Sequence, residues 1–209
     1  MDGFTSLTQF VVTFSYRKDG TTWEIREKRR GDPVARVHKP GPPDRTVPFD
    51  VYGGPRLDEL IGLVTSGDAA TADRTLIGRV GGRTHSNLFK QRWTFEQFGL
   101  GVLEGRARGL GSMVRNTVGS FSDNDSAGYL VAPLTVHYRS SDSEGFTLAR
   151  HAGPLSRFDI AVKDPRIDRL LVLAAVRLFD HQTGDWDARK LVPVIGGLLG
   201  RSTRGDGSA

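Results

Sequence analysis

The stretch Pro165-Arg166-Ile167-Asp168-Arg169-Leu170-Leu171-Val172-Leu173-Ala174-Ala175-Val176-Arg177-Leu178-Phe179-Asp180-His181 decides how this chain folds. Leu170 to Val176 is apolar without interruption, so a helix through it has no polar stripe to turn towards water. Such a helix must be surrounded by protein. Asp164 offers an N-cap oxygen and Pro165 suits the first helical position, where its missing N–H costs no hydrogen bond, and the pattern predicts a helix over 165–181. At ~1.5 Å per residue that helix is roughly 25 Å long, and its uninterrupted apolar part falls far short of the ~20 residues a bilayer requires. An internal plug is therefore expected rather than a transmembrane segment.

The preceding chain reads as short strands parted by turn residues, and strands enclose a helix by curling into a barrel. Phe10, Val12, Phe14 and Tyr16 alternate with Val11, Thr13 and Ser15, the period of a strand with one buried face. After Lys18-Asp19-Gly20, Trp23 and Ile25 continue the alternation, predicting a hairpin. Gly31-Asp32-Pro33 breaks the pattern, and Pro40 to Pro43 reads as a loop before a strand over 47–52. Leu57, Leu60, Ile61 and Val64 fit helical spacing, but Gly53-Gly54-Pro55 and the neighbouring strands favour another β element. Ser66 to Asp73, small and polar, reads as a flexible loop.

Strands are expected over 76–80 and 93–98, parted by Gly81-Gly82, and the chain turns at Gly99-Leu100-Gly101 into 102–106. Leu110 to Ser120 is a short helix or an irregular lid. Leu134, Val136 and Tyr138, then 146–150, then Phe158, Ile160 and Val162 complete the strand series. Leu191 to Leu199 is expected to cover one barrel end. The whole predicts one mainly β domain over 1–200, a closed antiparallel β-barrel around the helix, with 201–209 a disordered tail.

This organisation, together with Thr75-Leu76-Ile77-Gly78-Arg79-Val80, Trp93-Thr94-Phe95 and Phe158-Asp159-Ile160-Ala161-Val162-Lys163-Asp164 leading into the apolar helix, resembles the Tubby C-terminal-like superfamily, which includes the LURP-one-related proteins and the phospholipid scramblases. The likeness runs from about Thr8 to Asp180 and rests on hydrophobic patterns. It implies a barrel enclosing its C-terminal helix and acting as a binding or membrane-tethering module. In Tubby proteins a basic patch recognises phosphoinositide headgroups. The cysteine-rich acylation segment and proline-rich extension of scramblases have no counterpart in this sequence, so lipid translocation is not implied.

The 209 residues contain no cysteine, which excludes disulfides, thiolate metal sites, cysteine nucleophiles and palmitoylation. Met1 to Phe10 lacks the basic start and long apolar stretch of a secretory signal, and a cytoplasmic location, peripheral at the membrane, is the expectation. Between Arg74 and Arg115 eight basic residues face only Glu96 and Glu104, a local surplus of six positive charges, whereas 116–168 carries five basic residues against seven acidic ones. A one-sided field of this kind suits phosphate-bearing partners, and scattering of the cations over a solvated surface is its bland alternative. Lys90, Arg92, Arg106, Arg108 and Arg115 bracket the hairpin predicted over 93–106 and are the candidate headgroup ligands. A second basic group, Arg26, Lys28, Arg29 and Arg30, adjoins the Gly31 turn.

Catalytic patterns are weak. His38, His85, His137, His151 and His181 form no metal-ligand pair, and Gly109-Leu110-Gly111-Ser112 lacks the frame of a nucleophile elbow. Gly99-Leu100-Gly101 lacks the β–α rhythm of a dinucleotide loop, and Asp123 with Asp125 reads as a solvated turn. The sequence thus predicts a non-catalytic, cofactor-free module that binds an anionic phospholipid surface or a protein partner through a basic rim. Nucleic acid is the alternative, although Trp23, Trp93 and Phe95 are assigned to the core rather than to base stacking, and an enzyme with a barrel-mouth pocket is third.

Overall fold

In the computed structural model the described residues are 3–17, 19–28, 31–41, 47–83, 92–108, 134–151 and 157–183. Among them twelve strands form one closed antiparallel barrel: β1 (Gln9–Arg17), β2 (Gly20–Glu27), β3 (Pro33–Pro40), β4 (Phe49–Gly53), β5 (Glu59–Val64), β6 (Asp68–Thr71), β7 (Leu76–Arg83), β8 (Arg92–Gln97), β9 (Gly101–Arg108), β10 (Leu134–Arg139), β11 (Phe146–Arg150) and β12 (Arg157–Val162). Each strand pairs with its neighbours in sequence, and β12 closes the ring on β1 through Phe10↔Ile160 and Val12↔Phe158. The barrel has no edge to cap. A single helix among the described residues, α1 (Arg169–Thr183), follows.

The expected alternation is observed. Phe10 and Val12, Trp23 and Ile25, Phe95 and Leu103 are all fully buried, as are their register-matched neighbours Ala35 and Val37. Large rings fill one part of this core: Phe14 packs on Trp23 and Phe158, and Tyr138 stacks on Phe146 with centroids 4.5 Å apart. Leu170 to Val176 is buried at every position, and α1 packs against β5, β6 and β7. It also reaches β8 through Phe179 on Trp93 and β4 through the Arg177 guanidinium, 4.4 Å from the centroid of Phe49.

Two departures from the sequence reading fall on the strands that α1 approaches. Residues 66–73 contain strand β6 rather than only a loop, and β7 runs through Gly81 and Gly82 instead of stopping before them. Where the helix leans on the sheet the strands carry little side chain. A Cβ on Gly62 would strike the Leu170 side chain and lie 2.7 Å from the carbonyl oxygen of Ala70, while one on Gly78 would strike the Glu96 carbonyl and lie 2.8 Å from Leu171 Cδ2. Ala69, opposite Gly78 in register, is buried between them. Small residues that look like turn signals are here the contact surface for a helix. Pro33 and Pro40 likewise fall at the two ends of β3, where a missing ladder donor is tolerated.

The helix begins at Arg169, later than predicted, because Asp168 rather than Asp164 is its cap. The Leu170 N–H donates to Asp168 Oδ1 at 2.7 Å. Asp164 instead closes the turn before it: its Oδ1 accepts from the Arg166 backbone N–H at 3.0 Å, and its carboxylate takes both Nε and Nη2 of Arg166 and the Ser143 hydroxyl at 2.6 Å. Gln97 bridges the same turn to β8, donating to the Arg166 carbonyl and accepting from the Asp168 N–H, each at 2.8 Å. Buried Arg169 donates through Nε to the Leu7 carbonyl at 2.9 Å. Residues 110–120, 191–199 and 201–209, for which a lid, an end cover and a disordered tail are expected, lie outside the described residues.

Two tests follow from this packing. Gly78→Ala should lower the urea-unfolding free energy by about 3 kcal/mol or more, because backbone blocks the new methyl, whereas Gly81→Ala, which meets only the Thr94 hydroxyl at 3.1 Å, should cost far less. Equal losses would contradict the close helix contact. The bonds from Arg166 and Ser143 hold the Asp164 carboxyl well below the ordinary carboxylate range. A depressed folded pKa means the contribution is complete above the unfolded value of about 3.9 and is lost as pH falls through and below it. Asp164→Asn should therefore destabilise by roughly 1.5–3 kcal/mol at neutral pH and by much less near pH 2, read from urea midpoints at both.

Candidate functional site: a row of arginines at one barrel end

Strands β7 and β9 end, and β8 begins, at the same end of the barrel. Their registers align Arg83 opposite Arg92 and Arg92 opposite Arg106, so three arginines occupy successive positions across three neighbouring strands. Arg92 and Arg106 are both exposed. Two positions further along β9, Arg108 stands opposite Thr135 of β10, at the same end. The structure thus brings together Arg92 and Arg106, places Arg108 in register nearby, and leaves Lys90 and Arg115 outside the described residues.

Within the row Arg106 has an acidic partner. Arg106 Nη2 lies 2.9 Å from Glu104, two residues away on the same strand and face. That bond, reinforced by the charges of Arg106 and Arg92, holds the Glu104 carboxyl below its usual value. On the other side of Arg106, in register, His137 shares a hydrogen bond with the Thr147 hydroxyl at 3.1 Å. Arg83 belongs to this row although the sequence reading did not select it: taking Gly81-Gly82 as a turn ends β7 too early.

The second basic group behaves differently. Arg26 pairs with Glu24 and donates to the Gly31 carbonyl at 3.0 Å. Lys28 lies 3.3 Å from Asp159, which also receives His151 at 3.0 Å and Arg157 at 3.2 Å. These contacts, against the opposing effect of burial, hold the Asp159 carboxyl low. Arg29 and Arg30 lie outside the described residues.

Other candidate chemistry is not assembled. Among the described residues no group of three His, Asp or Glu could hold a metal, and His38 is bonded to the Thr22 hydroxyl at 3.3 Å. Gly99 and Gly101, with φ of 79° and 95°, make the tight β8–β9 turn. Residues 109–112, 123 and 125, and His85, lie outside the described residues. Trp23, Trp93 and Phe95 are buried, as the sequence implies. No helix among the described residues is long and apolar enough to cross a membrane. No family model, curated protein or solved structure matches the chain.

Like charges directly opposed on neighbouring strands oppose folding, typically by a few tenths of a kcal/mol to ~1. Replacing Arg92, flanked in register by Arg83 and Arg106, with Glu should therefore raise the unfolding free energy by ~0.2–1 kcal/mol at low salt. The gain should shrink in ~1 M NaCl, where screening acts over about 3 Å. A loss of stability in Arg92→Glu at low salt would show that the row is already balanced.

Proposed function

We propose that the chain is a non-catalytic binding module of Tubby-like architecture, in which β1–β12 close around α1 and the arginine row engages an anionic phospholipid surface. The observation that carries the binding reading is the register alignment of Arg83, Arg92 and Arg106 across β7, β8 and β9, with Arg92 and Arg106 exposed. Guanidinium groups at such spacing suit phosphate oxygens, which accept charge-assisted hydrogen bonds from planar donor pairs.

Enclosure of α1 is supported by burial at every position from Leu170 to Val176 and by contacts that spread from β4 to β8. The aromatic packing of β1, β10, β11 and β12 supports the same arrangement, as do Gly62 and Gly78 where the helix leucines come closest to the sheet. Nucleic acid would use the same cations, but Trp23, Trp93 and Phe95 are buried and not offered for base stacking.

Co-sedimentation with phosphatidylcholine vesicles, with and without phosphatidylserine, tests the lipid reading. Binding should require the anionic lipid and weaken steeply as salt is raised. Each basic residue near an anionic surface contributes about 1 kcal/mol, so the Arg92→Glu, Arg106→Glu double variant should lose roughly 30-fold or more in affinity. Vesicle binding that ignores lipid charge, or that the double variant retains, would overturn the proposal.

A further inference from the structure

A second feature lies on the outer face of β1 to β4, away from the arginine row. Here the register stacks two rows of hydrogen-bonding residues: Thr13, Glu24, Arg36 and Tyr52 in one, Ser15, Thr22, His38 and Asp50 in the other. On β8 the outward Arg92, Thr94 and Glu96 are exposed. Thr22, Glu24, Arg36, His38, Asp50 and Tyr52 are instead half-buried. All of these but Asp50, which stands beside His38 in register and accepts from the Tyr52 hydroxyl, line a groove of about 900 Å³, within the size range of small-ligand sites. One wall is the turn carrying Arg17 and Asp19, and the other the β4–β5 connection carrying Leu57 and Asp58. Leu57 is held at φ 55°, a left-handed conformation unusual for a leucine, with its N–H bonded to the Gly54 carbonyl at 3.1 Å.

The lining selects a ligand class. Asp19, Glu24 and Asp58 outnumber Arg17 and Arg36, which disfavours a phosphate-rich ligand. Leu57, Phe14 and the ring of Tyr52 offer too little apolar surface for an acyl chain. A peptide cannot join the sheet as an added strand, because every strand is already paired on both sides. Hydroxyls, carboxylates, a guanidinium and an imidazole side by side supply donors and acceptors in similar number, as a neutral molecule dense in hydroxyl groups requires. Tyr52, whose hydroxyl donates to Asp50 at 3.3 Å, adds a rigid aromatic surface on the floor. We propose that this groove binds a neutral saccharide.

The test is to apply the full-length protein, fluorescently labelled, to a glycan array carrying neutral and anionic glycans, and then to titrate the best neutral glycan by calorimetry. Neutral glycans should be retained, and Tyr52→Ala and Glu24→Gln should each weaken the titrated affinity by about tenfold or more, the order expected when polar partners are left unmatched. The Arg92→Glu, Arg106→Glu double variant should bind the same glycan undiminished, which separates this groove from the proposed lipid rim. If Tyr52→Ala melts well below the parent, His38→Ala replaces it and should show the same loss. Retention of no glycan, or of anionic glycans alone, or unchanged affinity in the groove variants, would overturn the proposal.

Discussion

The structure depends on one requirement: a helix apolar on all sides has to be covered along its whole circumference. From Leu171 to Val176 no residue of α1 reaches solvent, and Leu170 is buried. Burial of four or five large aliphatic side chains, at ~1.5–3 kcal/mol each, is a large favourable term for a chain of this size, and it is gained by packing α1 against β4 to β8. Helix and barrel are consequently interdependent. The helix alone would expose its apolar surface, and β5 and β7 without it would lose the leucine side chains that meet Gly62 and Gly78.

Polar contacts fix where the helix enters. Asp164, Arg166, Ser143 and Gln97 join the chain before α1 to β8 and to the β10–β11 connection, while Arg169 reaches back to the carbonyl of Leu7 near the start of the chain. Each bond is modest by itself, but together they set the axial position of α1. That position decides which side chains meet Gly62 and Gly78, so a slip of one residue would drive a methyl group into backbone. Further along, Arg177 is held by Asp180 at 3.5 Å and by the face of Phe49, which keeps a buried cation compatible with an apolar surround.

Most of this was legible from the sequence where hydrophobic period and strand length agree. Phe10/Val12/Phe14, Trp23/Ile25 and Leu134/Val136/Tyr138 each declare a strand through alternation, and the Leu170–Val176 run declares a buried helix. The reading failed where small residues lie inside strands rather than turning: Ala69-Ala70 in β6, against which α1 packs, and Gly81-Gly82 in β7, beyond the helix contact, carry no local sign of a strand. It also chose the wrong cap, since Asp164 and Asp168 both suit the role and only the engagement of Asp164 by Ser143 and Arg166 separates them. The opposition of Arg92 and Arg106 follows from reading 93–106 as a hairpin. Arg83 and the groove on β1–β4 do not, because their partners are set by strand register between segments whose alignment composition does not encode.

Native-state hydrogen exchange on the Leu171–Val176 amides tests the interdependence of helix and barrel most directly. Their protection should equal that of the fully buried strand positions Val12, Trp23 and Phe95, and should fall in step with them as urea is added, because those helical hydrogen bonds open only when the barrel does. Exchange of the helix amides through a separate, lower-energy opening while the strand amides stay protected would contradict it.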